Sequence, residues 1–175
     1  MITLPRFAVS LAALLLAGPL HAHDPSESWT EVIVHADEME MLVTMAQVTA
    51  LKLIDPEAKI QQLTPENFAE HRARLLQEGR TLFKLTSLKT PLASRRLDVE
   101  LTEEGDVAYK IIFPRPAPGL LMFDAQFMKK LGEGFGGIIA AADEDGHQLG
   151  WDQLSFENTT LVVMLPKPGE LPKKK

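Results

Sequence analysis

Cysteine is absent from the 175 residues of this chain. Its absence excludes disulfide bonds, thiolate metal sites, a cysteine nucleophile and a lipid anchor attached to cysteine. A domain of this composition must be held together by the burial of apolar side chains alone, which is feasible at this length.

Long apolar runs are also absent, with one exception at the N terminus. Residues 1–22 combine a positive charge at Arg6, an apolar run over residues 7–17 and a small residue at Ala22. This arrangement is typical of a secretory signal peptide, and the run is shorter than the roughly 20 residues needed to cross a bilayer. We therefore predict a signal peptide at residues 1–22 and a periplasmic or secreted protein, with an uncleaved membrane anchor as the alternative.

Positive charge is scarce in this sequence. It has 18 Lys and Arg against 24 Asp and Glu, a formal net charge of −6, and loss of Arg6 with the signal peptide makes the chain one unit more negative. A negative surface argues against nucleic acid or an anionic membrane as the partner. We expect no nucleic-acid binding and no transmembrane segment after signal cleavage.

Known catalytic motifs are missing too. The sequence contains no Gly-x-Ser-x-Gly elbow, no His-Glu-x-x-His pair and no phosphate loop, and the glycines of residues 132–137 precede a predicted strand rather than a helix. Several carboxylates fall in predicted strands and turns, where solvation explains them: Glu31, Glu38, Glu40, Asp143, Glu144 and Asp145. From the sequence we therefore predict that the protein is not an enzyme.

The clearest local pattern lies at residues 135–151, where two short apolar runs meet at Asp145-Gly146. Glycine, and to a lesser extent aspartate, tolerates the positive φ of a tight hairpin turn. The same alternation of apolar and polar residues recurs along most of the chain and predicts further strands. We expect these core positions: Ile33, Val43, Leu85, Val99, Ile111, Ile139 and Val163.

One predicted strand carries a row of thioethers. Met39, Met41, Val43 and Met45 fall on one face of the strand at residues 39–45. Such a row could hold a soft ion such as Cu(I). Methionine at a period of two is, however, ordinary filling for a sheet core, and we favour that interpretation.

Between residues 46 and 79 the apolar period changes to that of helices. A short helix stops at Asp55-Pro56, and a second one opens at Thr64-Pro65 and ends at Gly79. We expect the second helix to dock through Phe68, Leu75 and Leu76. His71 lies at the edge of that stripe, where a core-edge residue is more usual than a ligand.

These patterns predict a mainly β fold. We expect an antiparallel, immunoglobulin-like β-sandwich of about nine short strands in a domain of residues 23–166, with a two-helix insertion at residues 46–79. The basic segment at residues 167–175 is predicted to be a disordered tail.

Two parts of this layout resemble the exported N-terminal domain of the HupE/UreJ-like membrane proteins, named after hydrogenase and urease accessory proteins. One is the signal peptide ending at Ala22-His23 before a strand at residues 29–34. The other is the segment 125–131, followed by the run at 138–142, an acidic glycine turn and two last strands. The resemblance implies an accessory domain of a family thought to move metal ions such as nickel, here without the membrane portion.

Residues 54–68 resemble a decayed calcium loop of the kind some of those domains carry. A working loop needs oxygen ligands at its first, third and fifth positions, glycine at the sixth and glutamate at the twelfth. With Asp55 first, Lys59 falls fifth and Ile60 replaces the glycine; with Pro56 first, Ile60 falls fifth. We therefore interpret the segment as a connection between helices rather than a calcium site.

The remaining metal hypothesis concerns His23. If cleavage leaves His23 first, its α-amine and ring nitrogen can chelate one copper or nickel ion, with a further ligand from His35, His71 or His147. The other interpretation is a histidine that merely follows the cleavage site. We expect a non-enzymatic binding or accessory domain with an envelope or membrane protein as partner. The alternative is a periplasmic copper- or nickel-binding or delivery protein.

Overall fold

The computed structural model of the chain describes residues 26–57 and 59–167, and over those residues it contains ten strands and three helices. The predicted signal peptide, His23 and residues 168–175 of the predicted tail lie outside them. The strands are β1 (Glu27–Val34), β2 (Glu38–Met45), β3 (Phe83–Ser87), β4 (Thr90–Leu92), β5 (Arg96–Leu101), β6 (Val107–Pro114), β7 (Gly119–Ala125), β8 (Gly136–Asp143), β9 (Gln148–Ser155) and β10 (Thr160–Leu165). The helices are α1 (Gln47–Ile54), α2 (Pro65–Gly79) and α3 (Gln126–Leu131).

The strands form two sheets, which confirms the predicted β-sandwich with a helical insertion. One sheet has six strands in the order β5-β6-β2-β1-β8-β9, and the other has four in the order β10-β7-β3-β4. Pairing is antiparallel except between β1 and β8, which run parallel. The tenth strand, β4, exceeds the expected number because residues 90–92 pair with β3 after a tight turn.

Alternation along the strands builds the core between the two sheets. The methionine row of β2 is buried, as predicted for core filling, and so are six of the seven expected core positions. Ile33 is the exception, because it is 37% exposed on the outer face of β1. Both faces of β1 carry apolar residues, and the set with Val32 and Val34 is the one that faces the core.

The helices form as their termini predict. Thr64 caps α2 in a reciprocal pair with Asn67: the Asn67 N–H donates to Thr64 Oγ1 at 3.4 Å, and the Thr64 N–H donates to Asn67 Oδ1 at 2.8 Å. Leu75 is buried, while Phe68 and Leu76 pack half-buried against the core. The helix therefore docks on the sandwich through the expected stripe.

Two tight turns differ in how well their residues suit them. At the β8–β9 turn Gly146 has a φ of +80°, as Asp145-Gly146 predicts. At the β3–β4 turn Leu88 and Lys89 have φ values of +48° and +72°. Residues with a Cβ atom adopt this left-handed conformation at a cost of about 1–2 kcal/mol each, so the β3–β4 turn is strained.

The six-stranded sheet has two ends, which we call the Ser26 end and the His35 end. Because β1 and β8 are parallel, both strands end at the His35 end. There His35 Nδ1 lies 3.7 Å from Glu144 Oε2. The starts of β1 and β8 and the last residue of β9 lie together at the Ser26 end. None of the helices in residues 26–57 and 59–167 has the length and apolar character needed to cross a membrane.

Candidate binding groove on the six-stranded sheet

The outer face of the six-stranded sheet carries both tryptophans of the chain. Trp29 is 43% exposed on β1, and Trp151 is 59% exposed on β9. The register places Ile138 beside Trp29, and Ala140 beside Trp151. Large exposed aromatic side chains on an otherwise regular sheet mark a surface suited to binding.

A groove with a volume of about 790 Å³ lies at the Ser26 end of this sheet. Its walls come from four neighbouring strands, β2, β1, β8 and β9, together with the turns that precede β6 and β10. The lining residues are Glu27, Ser28, Trp29, Glu31, Leu42, Thr44, Met45, Ala46, Asp106, Gly136, Gly137, Ile138, Asp152, Gln153, Leu154, Ser155 and Asn158.

The charge of the groove is entirely negative. Glu27, Glu31, Asp106 and Asp152 line it, and these lining residues include no Lys, Arg or His. A cleft whose charges share one sign concentrates its electric field and raises the local concentration of counter-ions. The groove therefore favours a cationic ligand.

Trp29 and Glu31 form the best-defined part of the groove. They are neighbours on the outer face of β1, and the Trp29 indole Nε1–H donates to Glu31 Oε1 at 3.0 Å. The bond orients the indole edge toward the carboxylate. An aromatic surface beside a carboxylate suits organic cations, which the ring quadrupole and the negative charge both attract.

Backbone atoms complete the groove on its β8 side. A Cβ atom at Gly137 would lie 2.7 Å from the carbonyl oxygen of Ser28, so a larger residue would force β1 and β8 apart. On the β9 side the Asp152 carboxylate is held in place, because it accepts from the Gln153 N–H at 2.8 Å and from Asn158 Nδ2 at 3.3 Å. The described part of the site is thus built on paired strands.

The comparisons with known proteins do not assign the chain to a family. No protein-family model matches the chain, and no curated protein is significantly similar to it. The resemblance to HupE/UreJ-like proteins therefore stays a prediction from the sequence pattern.

A second group of polar side chains lies in the β8–β9 turn. Asp143, Asp145 and His147 each offer a ligand atom, and these atoms lie within 4.8 Å of one another. Asp143 also organises the turn, since its Oδ1 accepts from the N–H groups of His147 at 2.8 Å and of Asp145 at 3.1 Å. Closure of the turn is sufficient to explain this arrangement.

The electrostatics of Asp143 follow from the same contacts. Burial raises the pKa of Asp143, but hydrogen bonds from the backbone and ring of His147 and from the Asp145 N–H outweigh it, so the pKa lies below its ordinary value. His147 Nδ1 lies 3.0 Å from Asp143 Oδ2. One carboxylate therefore serves both the turn and the histidine.

The structure separates the histidines that the sequence singles out. His35 and His147 lie at the His35 end of the sheet, whereas His71 is half-buried on α2. His23 lies outside the described residues.

The connection between α1 and α2 is held by side chains that bond to the backbone. Asp55 Oδ2 accepts from the Ile60 N–H at 2.5 Å, and Gln47 Oε1 accepts from the Leu63 N–H at 2.8 Å. Asp55, the first candidate position of a calcium loop, is therefore engaged within the segment that follows α1.

The sequence reasoning missed most of the groove. Glu31 was expected to be an ordinary solvated carboxylate, and Trp29, Asp106 and Asp152 were not singled out. The one local signal was a tryptophan and a glutamate two positions apart, on one face of a predicted strand. Asp106 and Asp152 join them only through the sheet order.

Proposed function

We propose that this protein is an exported, non-enzymatic binding domain of the cell envelope, and that it binds a cationic segment of a partner protein in the groove beside Trp29. The observation that carries the proposal is a groove lined by four carboxylates and by no basic residue, with an exposed indole at its wall. Export follows from the signal peptide that the sequence predicts.

The spread of the carboxylates favours a chain segment over a single ion. Glu27 and Glu31 lie four residues apart along β1, a separation of about 13 Å, while Asp106 lies in the turn before β6 and Asp152 on β9. A metal ion needs ligand atoms that converge on one point, whereas several Lys or Arg side chains can each meet one carboxylate. The indole adds a cation–π contribution of about 0.5–2 kcal/mol for one of them.

The side chains of the groove support binding rather than catalysis. Its lining residues include no histidine, lysine, cysteine or tyrosine, so the groups available for acid–base chemistry are the four carboxylates, which we assign to binding the cationic segment. Ser28 donates to the carbonyl oxygen of Gly136 at 3.3 Å and is nearly buried. Its hydroxyl is therefore engaged with the backbone.

A fluorescence titration tests the proposal. In a Trp151→Phe background Trp29 is the sole tryptophan and reports on the groove. We expect an oligolysine peptide, but not an oligoglutamate peptide, to change its emission, with an affinity that falls as salt rises. Glu27→Gln with Glu31→Gln should weaken binding about tenfold or more.

Glu100→Gln is the matched control, because Glu100 is exposed on β5 and does not line the groove. If Glu100→Gln weakens oligolysine binding as much as the groove variants do, the peptide is sensing net charge, and the groove proposal fails. Absence of any response from Trp29 to the oligolysine peptide would also refute it.

A second candidate function is periplasmic binding of copper or nickel. The specific observation in its favour is the group Asp143, Asp145 and His147, and the sequence hypothesis adds a processed terminus at His23. Nitrogen and carboxylate ligands together suit these ions. Because the turn and the processed terminus supply different ligands, titration of variants with the metal alone can show which of the two binds it.

Three forms of the protein should be titrated with copper and nickel: a chain beginning at His23, a chain beginning at Ala22, and His147→Ala. Loss of affinity on starting at Ala22 assigns the ion to the terminus, and loss in His147→Ala assigns it to the turn. No binding in any form rejects this function, and equal affinity in all three forms rejects both the terminus and the turn as the site.

A further inference from the structure

The strained β3–β4 turn exposes an apolar side chain. Leu88 occupies a position that Asn or Gly would take with less strain, and it is 54% exposed. Its side chain lies against Gly119, where a Cβ atom would come within 2.7 Å of Leu88 Cδ2. Leu88 is therefore held over the start of β7, at the edge of the four-stranded sheet.

Leu88 belongs to a continuous apolar patch. The Leu88 N–H donates to the Leu120 carbonyl oxygen at 3.0 Å, and Leu120 pairs with Met164 of β10. In the next row Met122 pairs with Val162. Leu120, Val162 and Met164 are each more than half exposed, so we call Leu88, Leu120, Met122, Val162 and Met164 the apolar patch.

Lysines outnumber acidic residues around the apolar patch, although the chain as a whole is negative, and Lys84 lies opposite Asp124 in the register. Lys89 follows Leu88 in the turn, Lys84 is exposed on the outward side of β3, and Lys167 follows β10. The one acidic residue on the paired part of this face, Asp124, accepts from Thr159 Oγ1 at 2.9 Å and from Gln126 Nε2 at 2.5 Å. The sequence after Lys167 adds Lys173, Lys174 and Lys175 against Glu170.

We infer that the apolar patch docks the domain on the surface of an anionic lipid bilayer. Apolar side chains enter the boundary between headgroups and acyl chains, and each lysine close to an anionic surface strengthens binding about fivefold. The net negative charge predicts repulsion from such a membrane, but the charges that would meet it are lysines. The outer face of the six-stranded sheet, with the groove, then points away from the lipid.

Vesicle co-sedimentation tests this inference with the protein purified after export. We expect binding to vesicles of phosphatidylcholine with phosphatidylglycerol, and at least about tenfold weaker binding to phosphatidylcholine alone. Met164→Asp with Leu120→Asp should lower the affinity for the anionic vesicles about tenfold or more. Val48→Asp is the matched control, because Val48 is 54% exposed on α1, away from the patch.

A further variant distinguishes a loss of vesicle binding from a loss of folding. Leu88→Asn with Lys89→Gly supplies residues that the turn favours, so its thermal stability should rise while its vesicle binding falls. The inference is overturned if the protein does not bind anionic vesicles, or if Val48→Asp weakens binding as much as the patch variants do. It is also overturned if the protein forms dimers that Met164→Asp dissociates while vesicle binding is unchanged, since a second copy then covers the patch.

Discussion

Gly79 lies directly against the ring of Tyr109, where a Cβ atom would approach Tyr109 Cδ1 to 2.9 Å and Leu97 Cδ2 to 3.0 Å. The contact brings the last turn of α2 onto the inner side of β5 and β6. It also explains why the helix ends on a glycine whose φ is not positive: the residue is needed for close approach rather than for a left-handed cap.

We therefore predict that Gly79→Ala destabilises the fold. Overpacking of a close contact costs about 1–3 kcal/mol, and the better helix propensity of alanine offsets at most about 1 kcal/mol of that. Gly79→Val should cost more than Gly79→Ala. Urea denaturation measures both, with Gln77→Ala, exposed on the same helix, as the control. A stability gain in Gly79→Ala would contradict the contact.

Tyr109 offers a test at alkaline pH. Burial, and secondarily the charge of Glu78, raises the pKa of Tyr109 well above its ordinary value of 10.0. Because the folded pKa is the higher one, the stability it contributes is complete below pH 10 and is lost as the pH rises further. Tyr109 is the sole tyrosine, so phenolate absorbance follows this residue alone.

We expect phenolate absorbance to appear only as the folded protein unfolds, and to appear near the ordinary pKa in denaturant. Tyr109→Phe should be at least as stable as the natural protein, since the Tyr109 hydroxyl is buried without a hydrogen-bond partner among the described residues. Reversible titration of Tyr109 near pH 10 in the folded protein would refute its burial.

The two faces of the six-stranded sheet can be distinguished by a matched pair of isoleucines. Ile111 is buried, and Ile111→Ala should lower the free energy of unfolding by about 2–5 kcal/mol. Ile33 is exposed on the opposite face, and Ile33→Ala should cost about 0.5 kcal/mol. Equal losses in denaturant unfolding would mean that the outer face is covered.

Asp143 should give the β8–β9 turn an acid-sensitive stability. Its pKa is lower in the folded chain than in the unfolded one, so its contribution is present above about pH 3.8 and is lost as the pH falls below that value. Asp143→Asn should therefore be less stable than the natural protein near neutral pH, with a difference that shrinks in acid. Thermal unfolding across this range measures it, and a difference independent of pH would contradict it.

Local patterns in the sequence were enough to predict nine of the ten strands, the Asp145-Gly146 turn and the N-terminal cap of α2. The period of two placed the methionine row of β2 in the core. Ile33 was assigned wrongly because Trp29 and Ile33 on one face of β1 are as apolar as Val32 and Val34 on the other. Alternation alone does not decide between two apolar faces.

The groove depends on information that no local pattern contains. Its carboxylates lie at positions 27, 31, 106 and 152, and only the strand order brings them together. The pairing of His35 with Glu144 has the same origin, because it requires β8 to lie beside β1. The 109 positions between His35 and Glu144 along the chain give no sign of this pair.

The parallel pairing of β1 with β8 also determines when this domain can fold. Ser28 bonds to the carbonyl oxygen of Gly136, 108 positions further along the chain. Pairing between strands so distant in sequence forms slowly during folding. Until β8 pairs with β1, one edge of the β1–β2 hairpin stays unpaired. For a chain exported N terminus first, as we propose, the central sheet cannot close, and the groove cannot be completed, before most of the chain has emerged.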